Sequence, residues 1–165
     1  MTTAHVDISQ FTNAPLRLSS EVSYVGFSAD EVFDLLGDPK KITDWYPLAK
    51  SVLMHDDDPT GQAFDVEFTF FGRVSEKVLY WQPPNRYIYQ ALGDQFPIKD
   101  YIAEIAIDAA DDQRGTLIWS IYFNVVEGEE HQRILPVILP AINQAGMANL
   151  SRMLGGGDYA VRSFF

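Results

Sequence analysis

Apolar and polar positions alternate from Leu16 to Val25, which predicts a first strand. The period then changes. Ser28 is a natural N-cap with Glu31 three residues on, so a helix opens there with Val32, Phe33, Leu35 and Leu36 on its buried face. Gly37-Asp38-Pro39 ends it, and Lys40 to Trp45 reads as a second short helix. Beyond Pro47 the two-residue period returns and persists. Val52 to His55 is a short strand closed by the turn-forming run Asp56 to Gly61. Ala63 to Phe71 alternates, with Phe64, Val66, Phe68 and Phe70 on one face and Asp65, Glu67 and Thr69 on the other. Gly72-Arg73 is the expected turn into Val74 to Trp81, and Gln82 to Asn85 turns into Arg86 to Leu92.

Gly93 to Pro97 marks another break. In the following strand, Ile98 to Ala109, Tyr101, Ala103, Ile105 and Ile107 share a face opposite Asp100, Glu104 and Asp108. Asp111 to Gly115 turns into Thr116 to Val126, where Leu117, Trp119, Ile121, Phe123 and Val125 align. Only at the end does a helical spacing reappear. From Ile134 to Leu154 the residues Ile138, Ile142, Ala145, Met147, Leu150 and Leu154 recur at three- and four-residue steps. Pro136 fits a first turn, whereas Pro140 is expected to kink the helix or mark its true start. Gly155-Gly156-Gly157 stops it, and Tyr159, Phe164 and Phe165 are expected to fold the tail back.

The turns between strands are too short for crossover helices, so the sheet is antiparallel. The late helix is the large element able to cover its apolar face. The fold class is therefore α+β: a curved antiparallel sheet around a long C-terminal helix, with two short helices after the first strand. A sheet curved around a helix leaves a space between them, for side chains or a ligand to fill.

Composition narrows the function classes. The chain has 165 residues, 47% of them hydrophobic, which suits a single folded domain. It contains no cysteine, so disulfides, thiolate metal sites and cysteine nucleophiles are excluded. A net charge of -11, from 23 acidic and 12 basic residues, repels phosphate backbones and anionic lipid, which argues against nucleic-acid binding. Met1 to Gln10 lacks a basic-then-apolar leader pattern, and Ile134 to Ile142 is too short and proline-broken for stable membrane insertion. A soluble, cytoplasmic protein is the expectation; oligomeric state is not legible.

The segment Ser28-Ala29-Asp30-Glu31-Val32-Phe33-Asp34-Leu35-Leu36, followed by Asp38-Pro39 and Trp45-Tyr46-Pro47-Leu48, resembles the opening of the START-like (SRPBCC) superfamily. Relatives there include polyketide cyclase/dehydrase, lipid-transport and Bet v 1-type proteins. The run from Glu76 to Arg86, Glu-Lys-Val-Leu-Tyr-Trp-Gln-Pro-Pro-Asn-Arg, resembles that group's turn between two central strands. The resemblance implies a helix-grip fold with a hydrophobic cavity. It divides the chain into an arm, 1–15, a single ligand-binding domain, 16–154, and a tail, 155–165. It does not select among carriers, cyclases, hydroxylase subunits and regulatory modules.

The candidate ligand-binding residues are Phe68, Phe70, Tyr101, Trp119 and Phe123 on inward-reading faces, joined by Tyr87 and Tyr89. The late helix adds Ile142, Asn143 and Met147. A plain packed core explains the same aromatics, with a buried tyrosine hydroxyl needing a partner either way. His55 beside Asp56, Asp57 and Asp58 is read as a solvated turn and not a metal site, and the acidic run around His131 as a favourable helix start. His5 carries no signal. No Gly-x-Ser-x-Gly elbow is present, Gly155 to Gly157 follows a helix and so is no phosphate loop, and no cofactor or metal is called for. Asp65, Glu67, Asp100, Glu104 and Asp108 read as outward and solvated.

Binding of a small hydrophobic or amphipathic molecule, by a carrier or sensor, is the function expected first. A cyclase or dehydrase acting on a polyketide-like or aromatic substrate is the alternative, with Tyr101 or Tyr89 as its acid or base. A partner-binding regulatory module is the third reading. It turns on Trp45-Tyr46-Pro47, which serves as a lid if Trp45 is buried and as a contact surface if it is exposed.

Overall fold

The computed structural model describes residues 6–58, 62–93 and 97–165. His5, the end of the Asp56 to Gly61 turn and the middle of the Gly93 to Pro97 break lie outside the described residues. After a 3-10 turn at Ile8–Gln10, β1 runs Leu16–Val25, α1 Ala29–Gly37, and a 3-10 turn at Pro39–Lys41 leads into α2, Ile42–Trp45. Then follow β2 (Ala49–Met54), β3 (Ala63–Phe68), β4 (Gly72–Gln82), β5 (Arg86–Leu92), β6 (Ile98–Asp111) and β7 (Arg114–Val125). The chain closes with α3 (Glu129–Met153) and β8 (Tyr159–Ser163).

All eight strands form one antiparallel sheet in the order β2-β3-β4-β5-β6-β7-β1-β8. Each hairpin from β2 to β7 is local, and β1 closes the far side by pairing with β7. The tail does fold back: it is an edge strand, with Ser20 opposite Val161, and Phe165 reaches within 5.8 Å of Phe123. The architecture is helix-grip, α+β, as the period switches require.

Local signals explain most boundaries. The Ser28 hydroxyl accepts from the Glu31 N–H at 3.2 Å, and the Glu31 carboxylate accepts from the Ser28 N–H at 2.7 Å, closing the capping box. β1 and β7 bury every second residue: Leu18, Ser20, Val22 and Tyr24 on one, Leu117, Trp119, Ile121 and Phe123 on the other. Leu135, Met147 and Leu150 of α3 and Leu154 at its C-cap pack on that face and complete the main core with Val32, Phe33 and Leu36 of α1.

Two expectations are corrected. β3 stops at Phe68, and Thr69 to Phe71 make the turn, with Gly72 at φ 64° paired to Phe68. A three-residue loop ending in a positive-φ glycine matches the twist of the two strands, so alternation counted through it puts the last aromatic on the wrong face. Phe70 accordingly sits at the hairpin tip, 71% exposed, while Phe71 packs against the main core. α3 begins five residues before Ile134, behind Gly128 and the acidic pair Glu129 and Glu130, and carries both Pro136 and Pro140 in its interior. Leu135 and Leu139, buried on the sheet side, hold that stretch where propensity alone would end it.

Candidate functional site: an aromatic cavity holding one carboxyl

Between the sheet and α3 lies a cavity of about 90 Å³, several times the roughly 10–15 Å³ that one water needs on the same measure. Its floor comes from alternate residues of β3 to β7: Phe64 and Phe68, Val74, Glu76 and Val78, Tyr87, Tyr89 and Ala91, Tyr101 and Ile105, Trp119, Ile121 and Phe123. Leu139 and Asn143 of α3 form the roof, and Leu36, Gly37, Pro39, Ile42, Trp45 and Tyr46 close one end.

Of the residues singled out from sequence, Phe68, Tyr87, Tyr89, Tyr101, Trp119, Phe123 and Asn143 line this space. Phe70 does not, for the reason given above. Ile142 and Met147 are buried at 8% and 0% exposure but are not part of the lining. Met147 belongs to the packed core under α3, and Leu139 and Asn143 are the residues that α3 turns toward the cavity.

The end wall is aromatic and edge-packed. Trp45 lies 5.8 Å from Trp119 and 5.5 Å from Tyr46, and Tyr46 is 5.7 Å from Phe68, all near perpendicular. Trp45 is only 5% exposed, as a lid requires. Gly146 lets the Tyr46 ring approach α3: a Cβ there would lie 3.3 Å from it. The Asn149 amide donates to the Trp45 carbonyl at 3.3 Å, so lid and helix are pinned together.

The polar groups in this space are few. The Tyr87 hydroxyl donates to the Leu36 carbonyl at 2.8 Å, tying β5 to the end of α1. Tyr89 and Tyr101 share a hydrogen bond. Asn143 Nδ2 donates to Ser20 Oγ at 3.4 Å. The indole N–H groups of Trp45 and Trp119 are buried without a protein partner.

Burial pushes Tyr46, Tyr87, Tyr89 and Tyr101 well above 10, so none is a base at neutral pH, Tyr89 and Tyr101 included. The nearby carboxyl of Glu76 raises all four further. Glu76 itself is held at about 8 by burial alone. It stands in the interior of β4, between Val74 and Val78 on the same face and opposite Phe64 and Ala91. No other carboxylate, and no Lys, Arg or His, lines the cavity among the described residues.

Glu76 is the residue that sequence reasoning missed. The signal was present: in Val74-Ser75-Glu76-Lys77-Val78 the acid, not the serine or lysine, falls in phase with the valines. The acids that were weighed lie elsewhere. Asp65 accepts from Ser75 at 2.7 Å and pairs with His55 at 2.8 Å, which gives that histidine a structural role at the sheet surface. Glu104 pairs with Arg86 at 2.7 Å.

Comparison with known proteins agrees with this construction. A family model described as polyketide cyclase / dehydrase and lipid transport matches residues 17–155. No curated protein matches the sequence. Among solved structures, the aromatase/cyclase ZhuI from a Streptomyces species is 16% identical, with a TM-score of 0.68 over 87% of this chain and 100% of that one. A START superfamily protein from Mycobacterium smegmatis is 15% identical, with a TM-score of 0.63 over 84% and 99%. Norcoclaurine synthase from Thalictrum flavum is 17% identical, with a TM-score of 0.62 over 87% and 96%. At these identities the structures establish a shared fold, the helix-grip fold.

Proposed function

Because the chain belongs to the polyketide cyclase/dehydrase and lipid-transport family, we propose that its cavity holds one small hydrophobic or amphipathic molecule, as a carrier or sensor does. The observation that carries this reading is the pair of unpartnered indole N–H groups, Trp45 and Trp119, on an otherwise aromatic lining. A buried donor without an acceptor costs about 1–3 kcal/mol. Phenylalanine or leucine would fill the same walls without that cost, whereas an acceptor on a ligand removes it. The buried Trp45 supports its segment as a lid over this ligand and not as a partner-docking surface.

Native mass spectrometry of freshly purified protein, with its organic extract alongside, tests the reading. A stoichiometric mass lost on denaturation is the expected result. An apo mass, combined with no change in tryptophan fluorescence across a panel of aromatic and alkyl compounds, would remove it.

One observation favours the enzymatic alternative. A carboxyl held at about 8 is mostly protonated at pH 7 yet close enough to exchange its proton, the property a general acid–base group needs. In this reading Glu76 replaces Tyr89 and Tyr101 as the proton-transfer group, and the two tyrosines orient the substrate. A cyclisation or dehydration assay in which Glu76→Gln turns over as fast as wild type would eliminate that role.

A further inference from the structure

The lone carboxyl of Glu76 says what kind of ligand the cavity takes, provided the cavity is a binding site at all. Its position on β4 is half-buried, with Val74, Val78 and Phe64 as its neighbours on the inner face. An acid there weakens the fold unless something pairs with it. Among the described residues no Lys, Arg or His lines the cavity with it. Arg86 is committed to Glu104 at 2.7 Å, Arg17 lies over the Phe123 and Phe165 rings, and the neighbouring Lys77 is exposed. No polar side chain of the described residues is hydrogen-bonded to Glu76, and burial is the only influence on its proton affinity. Around it stand four tyrosines close enough to feel its charge, with the Tyr89–Tyr87 and Tyr89–Tyr101 ring centroids 6.0 and 6.2 Å apart. Aromatic faces beside a carboxylate make a favourable setting for an organic cation. The overall charge of -11 favours cation entry as well.

We propose that the cavity selects an amphipathic amine, its ammonium group paired with the Glu76 carboxylate among the tyrosine rings and its apolar body against the aromatic walls.

The pairing has a proton signature. Among the described residues, the titratable side chains lining the cavity are Glu76 and Tyr46, Tyr87, Tyr89 and Tyr101, and Glu76 also borders a surface pocket with His55, Asp57, Asp58 and Lys77. The residues facing Glu76 across β3 and β5, Phe64 and Ala91, do not titrate, and neither do Leu139 and Asn143 on α3. The tyrosines stay neutral throughout the range of interest, so Glu76 is the group of the described cavity lining that changes state. Below about 8 the carboxyl must give up its proton before it can pair with an ammonium ion. Amine affinity therefore rises with pH, about tenfold per unit, and levels off near 8. An alkylamine, with a pKa near that of lysine at about 10.4, remains charged there. An uncharged ligand shows no such rise.

The test compares benzylamine with ethylbenzene, which replaces the ammonium by a methyl group, and with phenylacetate. Each is titrated by tryptophan fluorescence and calorimetry from pH 6 to 8.5 into the full chain and its Glu76→Gln variant. Benzylamine is expected to bind at least tenfold more tightly than ethylbenzene at pH 8. That preference and its pH dependence disappear in Glu76→Gln, which still binds ethylbenzene and is thereby shown to be folded. If ethylbenzene or phenylacetate binds wild type as tightly as benzylamine, the amine assignment falls while the binding site stands. If no probe binds, the binding reading falls, and this inference with it.

Discussion

Where α3 crosses β1 it lies directly on the inner face, and Val22, Leu117, Met147 and Leu150 are all 0% exposed. At the β3 and β4 end a small cluster of Ile42, Phe64 and Val66 forms a separate core, and the inner face between the two clusters looks onto open space. The strands at both ends alternate apolar and polar residues in the same way. The difference lies in what covers them: a helix with large side chains on one side, a lid of aromatic rings on the other. One sheet thus carries a packed half that supplies stability and a hollow half that spends some of it on a carboxyl and two unpaired indoles.

Five substitutions would break or sharpen that contrast. The largest effect is expected at the packed end, where Leu150→Ala should cost about 2–5 kcal/mol in denaturant unfolding while leaving the cavity walls in place. Next comes Glu76 and pH. Its folded proton affinity is raised from 4.5 to about 8, so between those values the folded protein holds more protons than the unfolded chain. Stability then falls as pH rises through this window, by an amount on the order of a few kcal/mol at most. Glu76→Gln should flatten that dependence and be more stable than wild type at pH 8.5; a parallel pair of stability–pH curves would contradict the assignment.

The third test places the same large side chain at each end. Val22, 0% exposed in the main core and outside the cavity lining, should lose about 1–3 kcal/mol on replacement by phenylalanine. Ala91, a cavity-lining residue beside Glu76, should accept phenylalanine at under about 1 kcal/mol and lose ligand binding instead. The smallest effect is Ser28→Ala, which opens the capping box of α1 for about 1 kcal/mol and should leave binding unchanged, because Ser28 is remote from the cavity lining.

The same contrast explains what was legible in the sequence. The two-residue period fixes faces reliably in long, uninterrupted strands, and Tyr87, Tyr89, Tyr101, Trp119 and Phe123 do line the cavity. It fails where a strand ends unannounced, as at Phe68, because a turn of polar and aromatic residues continues the alternation by accident. Proline misleads in the opposite direction: Pro136 suits a first turn and Pro140 a kink or a start, yet both lie inside a helix that begins at Glu129 and buries Leu135 and Leu139. Glu76 was overlooked for a different reason. A single acid among valines looks like noise in an amphipathic pattern, and its isolation becomes visible only when the surrounding strands are seen to contribute no partner.

The two prolines have one more consequence, which concerns rates. Each lacks an amide hydrogen, so the carbonyls of Gln132 and Pro136 lose their usual intrahelical donors. The first half of α3 is thus held by fewer backbone bonds than the second, and Leu139, in that weaker half, is part of the cavity roof. Loosening residues 129–140 uncovers the cavity without disturbing Met147, Leu150 or Leu154. A ligand that leaves through this stretch would be released no faster than the stretch opens, whatever its affinity.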